Sequence, residues 1–369
     1  MSLPAAFDWP YLALLVVLDG IALLALRRRA TLLAASCLLA GVVAIPLLSG
    51  ELFLRLRLLA WQVFVHLPVL LLVGAWLWRG RRWPRRLAVF AAVALWAVAL
   101  DAFVVEPHAL VVSRVALHDA RVPRPLRIAL VADLQTDAVG DYERRVLGRV
   151  MAARPDLILL AGDYVQAAAA RGAAERRAFN TLLRELDFGA PLGAYAVEGN
   201  VEAHAPRWPA LFAGTRVTPL PERRTLAPTP GLSLTALPLD DSFRRDLVVG
   251  PAPGYHVVLG HAPDFALGAV DAALLLAGHT HGGQVRLPLL GPVMTLSRVP
   301  RAWAAGVTVL APDRTLVVSR GIGMERGYAP RLRFNCRPEI VIIDLAPTAG
   351  KTPSGGDQQD RGKGEHEAR

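Results

Sequence analysis

Four long apolar runs in the first 106 residues constrain the fold of this chain more than any other feature. They lie at residues 10–26, 32–49, 58–78 and 87–105. A helix needs about 17–25 apolar residues to cross the hydrocarbon core of a bilayer. The whole chain is 53% hydrophobic with a mean hydropathy of +0.37, and that hydrophobic fraction exceeds the usual range of soluble proteins. The sequence therefore predicts a four-helix transmembrane anchor over residues 1–106.

The arginines of this anchor predict its orientation. The loops after the first and third runs together hold eight arginines, whereas the segment before the first run holds none. Short basic loops stay in the cytoplasm. The first run lacks the basic start and the cleavage site of a signal peptide, so we expect a retained helix. The N-terminus, the middle loop and everything after the fourth run are then expected to be extracytoplasmic.

Two acidic residues interrupt the apolar runs, Asp19 in the first and Asp101 in the fourth. An acidic group inside a membrane is a functional hypothesis by default. The structural alternative is that Asp101 reaches the interface and that Asp19 pairs with a neighbouring helix near His66. We favour the structural alternative.

Composition excludes several other classes of protein. No block of basic and aromatic residues indicates a nucleic-acid footprint, so nucleic acid is not an expected partner. Two cysteines, Cys37 and Cys336, cannot form a disulfide framework. Residues 348–369 are rich in Gly, Lys, Gln, Asp and Pro and have no apolar periodicity, so we expect a disordered tail.

The pattern changes after residue 106. Five near-continuous apolar runs lie at 126–132, 157–161, 194–197, 256–259 and 272–277. Their length and composition are typical of strands that are buried on both faces. Helical patterns at 142–153 and 173–186 follow the first two strands. Because alternating strands and helices favour a layered α/β fold, we expect one α/β domain over residues 107–347.

A polar cluster follows each predicted strand. In chain order the clusters contain Asp133 and Gln135, Gly162-Asp163, Gly199-Asn200, Gly260-His261, and the run GHTHGGQ at 278–284 with His279 and His281. Open α/β sheets gather ligands at the carboxyl ends of their strands. We therefore expect the five clusters to meet at one crevice. Mixed imidazole and carboxylate ligation suits Mn, Fe or Zn.

With these motifs the chain resembles the calcineurin-like metallophosphoesterases, whose series is Asp-x-His, Gly-Asp, Gly-Asn-His-Asp/Glu, Gly-His and Gly-His-x-His. The form GHTHGGQ and the segment 320–340 are similar to a bacterial membrane-associated subgroup, the YkuE/YaeI-like phosphoesterases. One type of UDP-2,3-diacylglucosamine pyrophosphatase is related to that subgroup. The resemblance implies a four-layer αββα sandwich after the four helices, anchored in the bacterial cytoplasmic membrane.

The resemblance also implies two divalent metal ions. The implied ligands of one ion are Asp133, Gln135, Asp163 and His281. The implied ligands of the other are Asp163, Asn200, His261 and His279. Asp163 would bridge the two. Mn²⁺ is the first expectation, with Fe, Zn²⁺ and Mg²⁺ as alternatives, and water activated between the ions would attack phosphorus in line.

Gln135 is the first departure from the family pattern, which has His at this place. A carboxamide oxygen is neutral and harder than imidazole. We therefore expect Gln135 to ligate and to shift the preference toward Mn²⁺ or Mg²⁺ over Zn²⁺. The alternative is that Gln135 only fills space.

Val201 is the second departure, because the family has there a His that is thought to assist the leaving oxygen. Glu202 keeps the following acidic position and His204 lies two residues further on. With Asn200, these two residues are the candidate catalytic groups. Three alternatives stay open: His204 supplies the acid, the leaving group needs no acid, or the two losses mark a catalytically impaired domain.

The sequence therefore predicts a membrane-anchored, metal-dependent phosphohydrolase acting on a phosphodiester or pyrophosphate, with an amphipathic or lipid-linked substrate. Its expected partners are the bilayer and this phosphorylated small molecule. The alternative is a metal-binding sensor or interaction module on the same anchor. A transporter is disfavoured because the runs show no broken helices or internal repeat. The arginines at 320, 326, 331, 333 and 337 are expected either to bind lipid phosphate or to form structural pairs.

Overall fold

The structure is a computed structural model, and it describes residues 5–28, 30–48, 50–77, 79–204 and 207–348. Its N-terminal helices are α1 (Ala5–Arg27), α2 (Thr31–Leu48), α3 (Leu52–Trp61), α4 (Leu67–Leu77) and α5 (Arg82–Leu100). A π-helical segment, Gln62–His66, joins α3 and α4 into one rod. α5 continues through a second π-helical segment, Asp101–Val105, and a 3₁₀ turn that ends at His108.

Three helical stretches are long and apolar enough to cross a membrane: Trp9–Arg27, Leu52–Leu77 and Arg82–His108. The second predicted run contains a shorter apolar helix, Leu32–Ala44, within the described residues. Leucine and alanine, which dominate these helices, are strong helix formers. The helical character of the four runs is confirmed, whereas the number of membrane crossings and the membrane itself stay predictions.

Polar side chains connect the helices internally. The Tyr11 hydroxyl lies 3.1 Å from the Gly41 carbonyl and 2.9 Å from Gln62 Oε1. His66 Nδ1 lies 3.0 Å from Asp19 Oδ2, as the structural alternative for Asp19 expects. In a hydrocarbon environment each such pair removes the cost of an unsatisfied polar group.

After the helices the chain forms a domain with three further helices, α6 (Asp141–Ala152), α7 (Ala169–Glu185) and α8 (Leu239–Ser242). The first eight strands are β1 (Val111–His118), β2 (Leu126–Val131), β3 (Leu157–Leu160), β4 (Ala194–Ala196), β5 (Val217–Pro219), β6 (Arg224–Thr229), β7 (Leu232–Ala236) and β8 (Val248–Val249). The remaining strands are β9 (Tyr255–Leu259), β10 (Ala269–Val270), β11 (Leu274–Ala277), β12 (Arg286–Leu287), β13 (Gly291–Pro292), β14 (Gly306–Ala311), β15 (Arg314–Val318) and β16 (Glu339–Ala346). The five predicted strands and the two predicted helices are thereby confirmed, with small shifts at their ends.

Two mixed six-stranded sheets form the centre of the domain. The first has the order β1-β16-β2-β3-β4-β5, and the second has the order β14-β15-β11-β9-β7-β6. In the first sheet β2, β3, β4 and β5 run parallel. In the second β7, β9, β11 and β15 run parallel. The remaining strands form two small ribbons, β8 with β10 and β12 with β13.

Three apolar clusters hold the layers of the domain together. Alternate side chains of the first sheet, such as Ile158 and Leu160, pack outward against α6 and α7. The other face of that sheet packs against the second sheet through residues such as Leu159 and Val257. The outer face of the second sheet packs against a 3₁₀ segment, Pro263–Leu267, and α8 contacts that segment. The αββα sandwich is thereby confirmed, with a fourth layer made of short helical segments.

Hydrogen bonds, in addition to the covalent chain, connect the N-terminal helices to the α/β domain. The Glu106 carboxylate accepts hydrogen bonds from the backbone N–H groups of Asn335 and Cys336. The Arg333 backbone N–H donates to the Ala102 carbonyl at 2.9 Å. These bonds hold the 333–336 segment against the end of α5.

Four of the five arginines of the basic tract have structural contacts. The fully buried Arg333 guanidinium donates to the backbone carbonyls of residues 320, 321, 323 and 336. Arg320 pairs with Glu339 at 2.9 Å. Arg326 and Arg331 both pair with Asp137. These contacts favour the structural alternative over a lipid-phosphate site.

Candidate metal centre

The polar clusters lie directly after strands, as predicted. Asp133, Asp163 and Asn200 follow β2, β3 and β4 of the first sheet, and His261 and His279 follow β9 and β11 of the second. Since each of these sets of strands is parallel, their carboxyl ends lie together at one end of the sandwich. The crevice between the sheets therefore receives side chains from both.

Five of the candidate ligands have left-handed backbone conformations: Asp133 (φ 50°), Gln135 (37°), Asp163 (58°), His279 (67°) and His281 (48°). Such conformations are uncommon outside glycine and cluster at functional sites, where the surrounding structure holds the strain. At Gly199 the chain passes so near Asp163 that a Cβ would collide with its carboxylate and its backbone nitrogen. Glycine is required there for the two loops to approach each other.

Asp133, Asp163 and His281 form one half of the site. All three are buried, and their ligand atoms lie within 4.8 Å of one another. Both carboxylate oxygens of Asp133 accept from the His279 backbone N–H, at 2.9 and 3.0 Å. That bond fixes the carboxylate relative to the loop that carries both histidines.

Asn200, His261 and His279 form the other half. Asn200 Oδ1 lies 2.8 Å from His261 Nε2 and 3.0 Å from His279 Nδ1. These two ring nitrogens are 3.2 Å apart. His261 Nδ1 donates to the Ala161 carbonyl at 2.7 Å. Its Nε2 is therefore the unprotonated nitrogen, available as a ligand.

Asp163 lies between the two halves. Its Oδ2 is 3.7 Å from His261 Nε2 and accepts from Gln135 Nε2 at 3.1 Å. Its Oδ1 accepts from the Val201 backbone N–H at 2.8 Å. Asp163 therefore contacts residues of both halves.

Two buried atoms at the site have no hydrogen-bond partner in the described structure, Gln135 Oε1 and His281 Nδ1. Buried polar atoms without partners are rare, and each needs an explanation. The Gln135 amide nitrogen is occupied, because it lies 3.1 Å from Asp163 Oδ2 and 3.4 Å from Glu325 Oε2. The amide oxygen is an electron-pair donor of the kind that a divalent cation binds, and the His281 nitrogen is one in the tautomer that is protonated at Nε2, so the residues present fit a metal.

The charge state of the site also fits a cation. Burial and the charge of Asp163 raise the pKa of Asp133 well above its usual value, and burial raises the pKa of Asp163 to about 7. Burial lowers the pKa of His261 to about 4 and, with the proximity of His261, that of His279 to about 3. Burial likewise lowers the pKa of His281 well below its usual value. The imidazoles are therefore neutral, as metal ligands must be, and the crowded carboxylates lack a compensating positive charge.

The buried Glu202 carboxylate connects two loops of the site through backbone hydrogen bonds. Its carboxylate accepts from the backbone N–H groups of Asp163 at 2.8 Å, Tyr164 at 2.9 Å and Gly199 at 3.1 Å. Burial and the charge of Asp163 raise the pKa of Glu202 to about 8. Glu202 thereby ties the Asp163 loop to the Asn200 loop.

The Val201 side chain is half-buried and offers no proton to a leaving group. The side chain of His204 lies outside the described residues, so its role as an acid stays a prediction.

The structure adds two residues that the sequence reasoning missed. Glu325 accepts from Gln135 Nε2 and, at 2.8 Å, from Gln166 Nε2. The Phe243 ring lies edge-on to His279 with a centroid distance of 4.9 Å. Neither residue follows a strand-end glycine, which was the signal that found the others. Glu325 does lie inside the arginine-rich segment that carried part of the resemblance.

A cavity of about 490 Å³ opens beside this centre. Its polar lining includes His279, His281 and Glu325. Its apolar lining comes largely from the helices: Phe53, Leu56, Leu59, Ala60, Val63 and Phe64 from α3 and the segment that joins it to α4, and Leu95, Val98 and Ala102 from α5 and its continuation. Leu287, Val293 and Leu296 also line the cavity.

The layered α/β domain brings carboxylate, amide and imidazole donors together at its strand ends, which is the donor chemistry of a metal-dependent enzyme. The family model described as calcineurin-like phosphoesterase matches residues 126–283. Phosphodiesterase YaeI of Escherichia coli K12 is 31% identical over 202 residues, which are 52% of this chain and 71% of that protein. The metallophosphoesterase YkuE of Bacillus subtilis 168 is 28% identical over 261 residues, 66% of this chain and 88% of that protein. The chain belongs to the calcineurin-like metallophosphoesterase family.

Proposed function

We propose that this chain is a membrane-anchored, binuclear metal-dependent phosphohydrolase that cleaves a phosphodiester or pyrophosphate bond in an amphipathic, lipid-linked substrate. The observation that carries the proposal is the shared cavity, which is lined both by metal-site histidines and by apolar residues of the helices. A phosphate at the centre would have its apolar substituent beside the helices. Burial of apolar surface in such a cavity favours a substrate with a hydrocarbon chain.

The length of the cavity along the helix supports a hydrocarbon substituent. On α5 and its continuation the lining residues run from Leu95 to Ala102, which is about 10 Å of helix at 1.5 Å per residue. That distance is about a third of the ~30 Å hydrocarbon core of a bilayer. The cavity therefore has room beside the helix for part of an acyl or isoprenoid chain.

We assign the cations as the family pattern implies. One would be held by Asp133, Gln135, Asp163 and His281, and the other by Asp163, Asn200, His261 and His279. When bound, two divalent cations lower the pKa of a water and neutralise charge on the phosphoryl oxygens. The first set has three oxygen donors and one nitrogen, which favours Mn²⁺ over Zn²⁺. Orphaned Gln135 Oε1 supports Gln135 as a ligand rather than a filler.

The surroundings of Val201 support a substrate whose leaving group needs no acid. A valine side chain donates no proton, and both Glu202 oxygens accept backbone hydrogen bonds. A phosphoanhydride or aryl leaving group departs as a stable anion, whereas an alkoxide does not. A pyrophosphate-linked lipid therefore fits the site better than a simple alkyl phosphodiester.

The anchor is proposed to span the cytoplasmic membrane with the catalytic domain outside. The arginine-rich loops after the first and third runs support this orientation. Alkaline phosphatase fused after Val105 should be active. An inactive fusion, together with a bright fluorescent-protein fusion at the same place, would put the domain in the cytoplasm.

The proposed function is tested with the full chain in lipid nanodiscs loaded with Mn²⁺. Bis-p-nitrophenyl phosphate and a pyrophosphate-linked lipid serve as substrates, and Asp163→Asn serves as the blank. We expect turnover of both, loss of both in the blank, and a higher kcat/KM for the lipid. Absence of turnover with metal demonstrably bound would favour the sensor or interaction module instead.

A further inference from the structure

The hairpin of β12 and β13 displays an apolar tip next to the metal centre. Leu289 is fully exposed, and Leu290 is 72% exposed. Their flanking neighbours Leu287 and Val293 are also exposed by 40% and 46%. Contiguous exposed apolar side chains on a folded domain indicate a surface that contacts a membrane or another protein.

The backbone conformation of this tip is unfavourable for leucine. The paired residues are Arg286 with Pro292 and Leu287 with Gly291, so residues 288–290 form the loop. Leu289 has a left-handed backbone, with φ 67°. A bulky side chain at such a position is a strained outlier, and glycine or asparagine would relieve the strain. The chain holds a strained leucine where a polar turn residue would be easier to place in water.

The sequence around the tip has the pattern of a membrane-dipping segment. Residues 287–297 read LPLLGPVMTLS and contain no charged residue, whereas Arg286 and Arg298 stand at the two ends. Arginines that flank an apolar segment keep their charged ends among headgroups while the apolar part enters the acyl region.

The hairpin lies beside the N-terminal helices. The Arg286 backbone N–H donates to the Phe334 carbonyl at 2.9 Å, one residue from Arg333, which is bonded to Ala102 of the α5 rod. Leu287 and Val293 line the same cavity as the α5 residues. At its other end the segment reaches the metal centre, since the Leu296 carbonyl lies 3.2 Å from His279 Nε2.

We propose that the 287–293 hairpin inserts its Leu289–Leu290 tip into the acyl region of the leaflet that surrounds α3 and α5. The hairpin then forms a membrane-embedded side wall of the cavity, and the occupant of its outer surface is lipid acyl chain. A lipid entering from the leaflet would pass this wall on its way to the metal centre. The inference rests on the proposed membrane placement of the helices. Its test does not require the protein to be catalytically active.

The test places an environment-sensitive fluorophore at three positions of the full chain. The variants are Leu290→Cys at the tip, Phe90→Cys on the exposed face of α5, and Val309→Cys on the exposed face of β14. The native Cys37 and Cys336 are buried, and the unsubstituted chain measures their residual labelling. Each labelled protein is reconstituted in phosphatidylcholine/phosphatidylglycerol vesicles with and without lipids that carry a nitroxide on the acyl chain.

We expect acyl-chain nitroxide to quench the labels at 90 and 290 and to leave the label at 309 bright. Quenching at 90 without quenching at 290 would overturn the hairpin inference and leave the proposed function standing. Quenching at neither position would overturn the membrane placement and the hairpin inference together. If a protein partner rather than lipid covers the tip, the label at 90 is quenched and the label at 290 is not.

Discussion

Gly278→Ala should damage the metal centre through one methyl group. A Cβ at Gly278 would lie 2.6 Å from Ala132 Cβ and 2.6 Å from Asp133 Oδ2, where ordinary contact begins at 3.4 Å. The loop bearing His279 and His281 must therefore move away from Asp133 by about 0.8 Å. Misplacement of about 1 Å in a catalytic constellation costs about 10²-fold in rate, which corresponds to about 2.7 kcal/mol. The φ of Gly278 is not in the left-handed region, so the whole effect is steric.

The effect is measured as kcat/KM for bis-p-nitrophenyl phosphate with saturating Mn²⁺, alongside metal content and the thermal midpoint. Gly148→Ala is the matched control, because a Cβ there meets nothing within 4 Å and the residue lies inside α6. We expect wild-type activity in the control and an approximately hundredfold loss in Gly278→Ala, with folding preserved in both. Wild-type kcat/KM and metal content in Gly278→Ala would refute the placement of the two histidines against Asp133.

Three further predictions concern the same centre. Gln135→His should raise the affinity for Zn²⁺ relative to Mn²⁺ because imidazole is the softer ligand; an unchanged preference in competition titrations would mean that residue 135 does not ligate. Glu325→Gln should weaken Mn²⁺ binding by about tenfold, since Glu325 accepts from the Gln135 amide and such supporting bonds orient ligands, and unaltered calorimetric affinity would remove Glu325 from the site. The metal-free chain should lose thermal stability as the pH rises from about 7 to 9. The pKa of Asp163 is raised to about 7 and that of Glu202 to about 8, so their protonated forms favour folding, and this contribution is lost as the pH passes the raised values. Below about pH 6.5 the lowered pKa values of His261 and His279 act in the opposite direction. Mn²⁺ should reduce the loss above pH 7, and a midpoint that rises between pH 7 and 9 in metal-free protein would contradict the assignment.

Much of the metal centre follows from the sequence because its signals are local. A buried strand followed at once by Asp, Gly-Asp or Gly-His identifies both the element and its functional end. The parallel arrangement of β2, β3 and β4 then places Asp133, Asp163 and Asn200 together without further information. The αββα layers follow from the family resemblance.

Features that depend on packing between distant segments were not predictable in the same way. β1 and β16 pair in parallel although more than 200 residues separate them, and the partially exposed pattern of β1 resembles no buried strand. The contact of Glu325 with Gln135 spans 190 positions. The cavity needs two helices, a hairpin and the metal loop at once. Hydrophobic periodicity describes each element alone and carries no information on which surfaces meet.

The central claim is that a metal centre at the end of a cavity bounded by membrane helices hydrolyses a lipid-linked phosphate. The most direct test is the ratio of kcat/KM for a pyrophosphate-linked lipid to that for bis-p-nitrophenyl phosphate, measured in nanodiscs for Val98→Trp and Val93→Trp. Val98 lines the cavity, whereas Val93 lies on the exposed side of the same helix. We predict that filling the cavity at 98 lowers the ratio about tenfold, which is about 1.4 kcal/mol of binding, and that Val93→Trp leaves it unchanged. An equal ratio in both variants and the wild type would contradict the account.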